Sequence, residues 1–434
     1  MIIVDTALEK RHQENNPVRV AIVGAGYMGR GVALQIVSAF RGLKLVAISN
    51  RTIATAAVAY RQAGIQDVAV VETVGQLEDA IASDRFSITD DALLLCQAEG
   101  IDAIIEATGE IEFGARVTLK AIEHGKHVIL MNAELDATVG PLLKIFADRA
   151  GVIITNADGD QPGVVMNLLR FVRTIGYHPV LAGNIKGLQD HYRTPATQKG
   201  FAERNKQKPK MVTSFADGTK ISMEMAVVAN ATGFKTGTRG MFGPSCKHVT
   251  EAIDLFPKDR MLNGGLVDYV LGAEPGPGVF VIGYNEDPIK QQYANYFKMG
   301  DGPFYVFYVP YHLPHLEVPI TVARAVLFRD AAVAPLGGPV CDVIAAAKQD
   351  LKCGHVLDGI GGFDCYGMIE NSDTTRKESF LPMGLVEGCR LKRDVSKDEV
   401  IRYQDVGLPE GRLCDKLRKE QDDNFTIKAS ARER

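Results

Sequence analysis

Long apolar runs, paired cysteines and excess charge are all missing from this sequence, and each absence excludes a class of protein. No stretch approaches the ~20 apolar residues that span a bilayer, and the opening MIIVDTALEKRHQENNP turns charged too early for a signal peptide. A formal net charge of −4 gives no electrostatic case for nucleic acid or membrane partners. Seven cysteines without a CxxC pair argue against disulfide frameworks and zinc ribbons. We therefore expect a cytoplasmic protein with reduced thiols.

The length of 434 residues predicts two or three domains. Strands and helices alternate in the first third, which indicates an α/β class with a Rossmann-type, doubly wound parallel sheet. An α+β substrate domain and a small β-rich domain follow. The predicted boundaries are a helical arm at 1–16, the nucleotide-binding domain at 17–156, the catalytic domain at 157–335, the β-rich domain at 336–410 and a charged tail at 411–434.

A glycine-rich turn follows the first predicted strand. In VGAGYMGRG, glycines at the spacing GxGxxG follow the apolar strand Val18–Val23 and precede a helix. The first glycine permits the tight turn, the second lets the backbone approach a pyrophosphate, and the third allows close packing of helix on strand. The helix N-terminus offers N–H groups to phosphates. The residues predicted to contact a dinucleotide here are Gly24, Gly26, Tyr27, Met28 and Gly29.

The second strand, LKLVAIS, ends without an acid. An acid there would hydrogen-bond the ribose 2′-OH of NAD and repel a 2′-phosphate. The chain has Asn50, Arg51 and Thr52 instead, and the last two could bind a 2′-phosphate. NADP is therefore favoured over NAD, although Arg51 could also stack on the adenine or point into solvent.

Two further strand ends carry polar residues that could contact nicotinamide or substrate. The turn EATG supplies Ala107, Thr108 and Gly109 after one strand, with Glu106 at its end, and NAELD follows the next. Ordinary caps at the strand ends are the alternative. The residues predicted at the cofactor from NAELD are Asn132 and Glu134, with Asp136 close by.

Beyond residue 157 the charged residues gather near strand ends. NADGDQPG contributes Asp158 and Asp160, and AGNIKGLQDHYRTP contributes Lys186 and Arg193. Lysines in such a setting could bind a substrate phosphate or stabilise a developing oxyanion. Carboxylates could hold a divalent cation or transfer protons.

A helical segment, DGTKISMEMAVVANATG, places Asp217, Lys220 and Glu224 at spacings of three and four, hence on one helix face. They could line an active site, or they could form a solvated salt-bridge ladder. Asn230 lies on the same segment and is a candidate substrate contact.

The stretch YFKMGDGPFYVFYVPYHLPHLEVP resembles a loop-rich wall of an active site. His312 and His315 are three residues apart, but the intervening prolines argue against a helix and so against a zinc pair. His312 is predicted to hydrogen-bond a substrate, and His315 to be structural.

The chain resembles homoserine-dehydrogenase-like oxidoreductases with a C-terminal SAF domain, and among them it is similar to deoxyxylulose-phosphate reductoisomerase-like enzymes. The resemblance covers nearly the whole chain and depends on VGAGYMGRG, IIEATG, GDQPG, AGNIKG, DGTKISMEMAVVANATG, KMGDGPFYVFYVPYHL and PMGLVEGCRLKRDVSKDEVIRYQDVGLP. The last stretch resembles an SAF (β-clip) module. The resemblance implies an NADPH-dependent homodimer that could use Mg²⁺ or Mn²⁺. The site residues that it implies are Asp160, Lys186, Lys220 and Glu224.

Two departures from the related enzymes bear on the substrate. Asn184 stands where the reductoisomerase-like members tend to have an additional lysine, which puts a phosphorylated substrate in doubt. Glu134 stands close to where homoserine dehydrogenases typically have a lysine, so homoserine is not expected.

The leading hypothesis is an NADP-dependent oxidoreductase for a small, polyhydroxylated and phosphorylated carbonyl compound. Lys220 would stabilise or protonate the developing oxyanion, Asp160 and Glu224 would orient the substrate or a cation, and the anionic end would be held by Lys186, Arg193 and His312. The alternatives are a reductoisomerase, a simple dehydrogenase of a sugar-like intermediate, and a non-catalytic cofactor-binding sensor. Asp158, Asp217 and Asn230 are further candidate substrate contacts.

Overall fold

In the computed structural model the backbone is described for residues 3–432 and the side chains for residues 3–425. The helices are α1 Ile3–Gln13, α2 Tyr27–Ala39, α3 Ile53–Gln62, α4 Val74–Ala82, α5 Ala92–Gln97, α6 Ile111–Glu123, α7 Ala133–Ala150, α8 Gln161–Thr174, α9 Pro195–Arg204, α10 Pro209–Ala216, α11 Thr219–Thr232, α12 Lys258–Leu262, α13 Pro288–Tyr296, α14 Pro314–Phe328, α15 Ser372–Glu378 and α16 Leu413–Arg432. Positions 1–2 of the predicted arm and 433–434 of the predicted tail lie outside the described residues.

The strands are β1 Val18–Val23, β2 Leu43–Ser49, β3 Ala69–Val70, β4 Ser87–Thr89, β5 Ala103–Glu106, β6 His127–Leu130, β7 Ile154–Asn156, β8 His178–Lys186, β9 Lys235–Thr236, β10 Leu266–Leu271, β11 Gly278–Tyr284, β12 Phe304–Val309, β13 Cys341–Ala347, β14 Cys365–Asn371, β15 Arg390–Leu391 and β16 Val406–Gly407. Short 3₁₀ helices lie at Val249–Asp254, Met383–Leu385 and Tyr403–Asp405.

The first compact unit contains the chain up to Asp160, the segment Leu313–Ala334 and the chain from Lys416 onward. Its seven-stranded sheet has the order β3-β4-β2-β1-β5-β6-β7, and all of its strand pairs are parallel. The order reverses at β1, so the carboxyl end of β1 is the switch point at which such sheets bind ligands. The predicted fold class is confirmed.

Helix α14 belongs to this first unit. Its residues Val318, Val322 and Ala323 are fully buried in the same core as Val20 and Ile22 of β1. The predicted catalytic segment 157–335 is therefore not one structural unit, because residues 313–334 pack with the Rossmann sheet.

The predicted charged tail contains a helix. Its described part forms α16, and Gln421 Oε1 accepts the backbone N–H of Leu142 at 3.1 Å. Arg418 Nη1 donates to the carbonyl of Thr138 at 3.3 Å. The helix is thus fastened to α7 within the first unit, because buried polar groups from both helices satisfy each other.

The second compact unit comprises Gln161–His312 and Pro335–Asp415. Its mixed sheet has the order β12-β11-β8-β10-β9. Strands β8, β9 and β10 are parallel to one another, whereas β11 runs antiparallel to both of its neighbours, β8 and β12. Helices α8 and α11 pack on this sheet. The C-terminal part, which we call the C-terminal module (Pro335–Asp415), contains the hairpin of β13 and β14 and the short pair of β15 and β16.

The C-terminal module and the segment Gln161–His312 form one compact unit, so the module is not a separate unit. Its strand β13 is fully buried, and α11 packs against β13 and β14. The seven cysteines of the chain are all unpaired. Among the helices described for residues 3–432, none has the length and apolar character of a membrane-spanning segment.

Candidate active site

The glycine turn after β1 has the geometry that its sequence predicts. Gly24 has φ +103, and a Cβ there would lie 2.7 Å from the carbonyl oxygen of Ala107. A Cβ on Gly29 would lie 1.9 Å from the Gly24 carbonyl oxygen. A Cβ on Gly26, by contrast, would meet no described atom within 4 Å. The space above Gly26 at the start of α2 therefore suits a pyrophosphate, and Tyr27 and Met28 form the first turn of that helix.

The end of β2 is fastened to this turn through Asn50. Its Oδ1 accepts the backbone N–H of Ala25 at 3.1 Å, and its Nδ2 donates to the carbonyl of Thr52 at 3.0 Å. Arg51 and Thr52 are exposed, and Thr52 directly precedes α3 without a capping hydrogen bond from its side chain. Asn50 therefore shapes the turn, while Arg51 is accessible to a ligand.

The turn after β5 is organised by a buried carboxyl group. Glu106 is fully buried, and its Oε1 accepts the backbone N–H of Thr108 at 2.9 Å and also the Thr108 hydroxyl. Burial raises the pKa of the Glu106 carboxyl, against hydrogen bonds from Thr108 that lower it. Glu106 thus fixes the Ala107–Gly109 turn at the carboxyl end of the sheet, where the sequence predicts the nicotinamide.

Asn132 caps helix α7 and is not a free ligand group. Its Oδ1 accepts the N–H of Leu135 at 3.1 Å, and its Nδ2 donates to the carbonyl of Glu110 at 3.2 Å. Glu134, in the first turn of α7, is buried. Asn132 therefore makes the contacts of an ordinary helix cap.

Asp136 is buried in the same helical turn. Its Oδ2 accepts a hydrogen bond from Asn156 Nδ2 at the end of β7, and its Oδ1 has no hydrogen-bond partner among the described residues. Burial raises the pKa of Asp136 to about 7. A carboxyl group that titrates near neutral pH thus lies at the carboxyl edge of the first sheet.

Asp158 is engaged within the first unit. Arg324 Nη1 of α14 donates to its Oδ1 at 2.6 Å, and the Thr321 hydroxyl donates to its Oδ2 at 3.1 Å. Asp158 is 1 % exposed, so the sequence prediction that it contacts substrate finds no support in this geometry. Asp160, which directly precedes α8, is half-buried.

In the second unit, Glu224 is a buried carboxylate surrounded by amides. It is 3 % exposed on α11, and Asn184 Nδ2 of β8 donates to its Oε2 at 3.3 Å. When the Gln161 amide is oriented with its nitrogen toward Glu224, it donates to the same oxygen. Asn184 thus provides a neutral donor to the Glu224 carboxylate.

Two lysines lie on the strand and the helix that contain Asn184 and Glu224. Lys186 ends β8, and Lys220 is the second residue of α11; both are half-buried. The first turn of α11 contains no acid. A lysine at a helix N-terminus adds to the positive potential of the helix dipole, so this region favours an anion.

Asp217 does not belong to the helix face that the spacing predicts. It lies before α11, its Oδ1 accepts the N–H of Thr219 at 2.9 Å, and its Oδ2 accepts from Lys348 Nζ at 2.8 Å. Asp217 is fully buried, and Glu224 is only 3 % exposed. The solvated salt-bridge ladder is therefore wrong, and Lys348 is a functional candidate that local sequence pattern could not indicate.

Arg193 and Asn230 make structural contacts in the second unit. Arg193 Nε donates to Asp190 Oδ2 at 3.0 Å. Asn230 Oδ1 accepts the backbone N–H groups of Val340 at 2.7 Å and Cys341 at 3.1 Å. Asn230 is 1 % exposed, so it fastens α11 to β13 and is not positioned as predicted for substrate.

The histidine pair lies at the start of α14, where we expected no helix. Pro314 occupies the first turn, where the missing N–H costs no hydrogen bond, and the helix continues through Pro319. His315 is therefore helical and contacts the position of Gly31, where a Cβ would lie 2.9 Å from its ring. His312 precedes the helix and belongs to the second unit.

Within the described residues, no group of three or more His, Cys, Asp or Glu side chains is arranged to hold a metal ion. The second unit has an open cleft of about 670 Å³ at the carboxyl ends of β8 and β10. Its lining residues are Gly187, Leu188, Gln189, Ser245, Cys246, Lys247, Glu251, Leu271 and Gly272. The cleft thus begins at the residue after Lys186.

Two protein families match the two parts of this geometry. Residues 18–130 match the oxidoreductase family with an NAD-binding Rossmann fold (GFO/IDH/MocA), and residues 159–318 match the catalytic domain of oxidoreductase DRL. The chain is an NAD(P)-dependent oxidoreductase. The two matches cover separate segments of the chain, the first with the glycine turn and the second with β8 and α11.

Individual relatives are distant. A homoserine dehydrogenase from Methylobacillus glycogenes is 28% identical over 121 residues, which are 28% of this chain and 26% of the relative, so the chain matches about a quarter of that enzyme. A probable dehydrogenase from Thermotoga maritima is 12% identical, with a TM-score of 0.43 over 74% of this chain and 91% of that one. The reductoisomerase of Zymomonas mobilis, solved with NADPH, is 20% identical, with a TM-score of 0.34 over 48% and 56%. Similarity at this level assigns no substrate.

Proposed function

We propose that this oxidoreductase transfers a hydride between NADP and a small, polyhydroxylated and phosphorylated carbonyl compound. The observation that carries the proposal is the group of Lys186, Lys220 and Glu224 on β8 and α11 of the DRL-type domain. It combines two cations with a buried, amide-bound carboxylate. Such a group suits a substrate that is anionic at one end and hydroxylated elsewhere.

The preference for NADP is supported by the end of β2. No acid stands at positions 50–52, and the Arg51 side chain is exposed beside the glycine turn. Arg51 would pair with the 2′-phosphate through charge-assisted hydrogen bonds. The open space above Gly26 fits the pyrophosphate of the cofactor. The bound nicotinamide supplies or accepts the hydride.

The residues of this chain bind and orient the substrate. Lys186 holds the phosphate, and Lys220 stabilises the charge that develops on the carbonyl oxygen or protonates that oxygen. Glu224 accepts hydrogen bonds from substrate hydroxyl groups, since its own position is fixed by Asn184 and Gln161. No step requires a divalent cation, and the predicted use of Mg²⁺ or Mn²⁺ stays a prediction.

Other expectations from the resemblance also stay predictions. They are a cytoplasmic homodimer, an SAF identity for the C-terminal module, and a rearrangement of the carbon skeleton before reduction. A product with an altered skeleton would identify a reductoisomerase, whereas an unchanged skeleton would identify simple reduction. NADPH binding without turnover would favour the sensor alternative.

The test is a screen of ketose phosphates and the corresponding free ketoses, with NADPH oxidation as the signal. We expect turnover with a phosphorylated member and a loss of at least about 100-fold in kcat/KM for Lys220→Ala, the magnitude typical of a lost oxyanion-stabilising donor. Lys199→Ala is the matched control, because Lys199 is an exposed lysine of α9 that pairs with Glu203. Equal losses in both variants, or none in Lys220→Ala, would refute the assignment.

A further inference from the structure

The C-terminal module contacts the rest of the second unit at two segments that flank the proposed substrate lysines. One is the loop after Lys186, residues 187–194, and the other is the junction before Lys220, residues 216–219. These two segments are joined directly, because Asp190 N–H donates to the carbonyl of Ala216 at 2.8 Å. His191 Nδ1 also lies 2.8 Å from the carbonyl oxygen of Asp217.

Lys348 of the C-terminal module bonds both segments at once. Its Nζ donates to the carbonyl of Arg193 and to Asp217 Oδ2, both at 2.8 Å. Its third hydrogen bond goes to the carbonyl of Gly362, also at 2.8 Å. The Lys348 side chain is 2 % exposed and that of Asp217 is fully buried. An ammonium group has three donors, and all three are satisfied here, so one buried cation joins both segments to the module.

A second set of contacts holds the same loop from its exposed side. The hydroxyl of Tyr192 donates to Asp398 at 2.9 Å, and that of Tyr366 donates to it at 3.1 Å. The ring of His191 stacks on Tyr366 with 4.3 Å between ring centroids. Lys397 lies over the Tyr192 ring, 3.6 Å from its centroid. The loop is therefore held by the module along His191–Arg193.

The start of α11 is held in the same way. Thr219 Oγ1 accepts the backbone N–H of Gly367 at 2.8 Å, and the Ser222 hydroxyl donates to the Gly367 carbonyl at 3.2 Å. Lys220 lies between these two residues in the first turn. The direction of Lys220 thus depends on bonds to β14 of the module.

We infer that the C-terminal module is a clamp that sets the positions of Lys186 and Lys220, and that Lys348 is its central positioning residue. This inference rests on the proposed roles of the two lysines, Lys186 at the substrate phosphate and Lys220 at the carbonyl oxygen. It assigns the module a part in substrate binding without any ligand of its own.

Two variants loosen the clamp without leaving a buried charge unpaired. Asp398→Asn weakens the two tyrosine contacts and keeps the backbone, because Asp398 has φ +66, which asparagine tolerates. The double variant Lys348→Met with Asp217→Asn replaces the buried ion pair by neutral groups. Lys352→Met is the matched control, since Lys352 pairs with Asp394 at 2.7 Å in the same module but is 80% exposed.

The full-length variants are compared by hydrogen exchange in peptides covering 187–194 and 216–222. Calorimetric titrations with inorganic phosphate and with NADPH accompany this measurement. We expect exchange in both segments to rise about fivefold in the two clamp variants, as for the loss of one net hydrogen bond. Phosphate affinity should fall by a similar factor while NADPH affinity stays at the wild-type value, and Lys352→Met should match wild type in all three measurements.

The outcomes separate this inference from the proposed function. Exchange and phosphate affinity in both clamp variants equal to those of Lys352→Met would overturn the clamp, whatever Lys220→Ala does. Faster exchange in the clamp variants together with an unchanged phosphate affinity in Lys186→Ala would instead overturn the proposed role of Lys186, and with it the positioning role of Lys348. A parallel fall in phosphate and NADPH affinity in the clamp variants would also overturn the clamp, because a general loss of structure explains both losses.

Discussion

The side chain of Asn50 accepts the backbone N–H of Ala25 at 3.1 Å and so joins the end of β2 to the glycine turn after β1. In a NAD-binding unit an acid typically ends the second strand. Here Asn50 stands in place of that acid, and its side-chain amide is hydrogen-bonded to the backbone of Ala25 and Thr52. The neighbouring Arg51 is exposed, so we expect it to be the group that reaches a substituent of the ribose. We therefore expect the choice between NADP and NAD to depend on the charge of Arg51, next to the position where an acid usually stands.

Arg51→Asp is expected to weaken NADPH binding by about 10- to 100-fold, the value of a charge-assisted hydrogen bond, with little change for NADH. Fluorescence titration of the two reduced cofactors measures this. Arg61→Asp makes the same charge change at an exposed position in the last turn of α3 and serves as the control. An equal loss for both cofactors in Arg51→Asp would contradict recognition of the 2′-phosphate.

The glycines of the turn offer a matched pair of variants. Gly29→Ala places a methyl group 1.9 Å from a backbone carbonyl oxygen, so we expect destabilisation by about 1–3 kcal/mol, as for overpacking. Gly26→Ala meets no described atom within 4 Å, so its stability should equal that of wild type. Its cofactor affinity should nevertheless fall, because the methyl group occupies the pyrophosphate position. Urea denaturation and NADPH titration of both variants distinguish the two effects. Unchanged NADPH affinity in Gly26→Ala would show that the pyrophosphate does not bind at Gly26.

The sequence allowed accurate prediction where local signals were strong. The bounds of β1 and β2 agree with the structure, because a buried parallel strand is a nearly continuous apolar run, which ends at Gly24 after β1 and at the polar Asn50 after β2. The roles of Asp217 and Asn230 could not be predicted, because their partners Lys348 and Val340 lie 131 and 110 residues away. Spacing on a helix shows which residues share a face, but not whether that face meets solvent or another part of the chain.

The buried pair of Arg324 and Asp158 is expected to stabilise the first unit only while both partners are present. Arg324→Met leaves the Asp158 carboxylate in a buried site with one strong donor removed, so we expect a loss of about 3–5 kcal/mol. Adding Asp158→Asn should recover part of that loss, because the remaining amide carries no charge. Thermal unfolding of the two variants gives the measurement. A double variant no more stable than Arg324→Met would indicate that packing, and not the uncompensated charge, causes the loss.

The Asp136 carboxyl group should make stability depend on pH between about 4 and 7. Its folded pKa is raised to about 7, above its usual value of 3.8, so over this range the folded state binds the proton more tightly than the unfolded state. Stability is therefore highest at the acidic end and declines as the pH rises toward 7, by about 1.4 kcal/mol for each unit of pKa difference. Asp136→Asn removes this dependence and retains an oxygen that can accept from Asn156. We expect the variant to be more stable than wild type at pH 8 but not at pH 5, as measured by urea denaturation, and an equal difference at both pH values would show that Asp136 is not the titrating group.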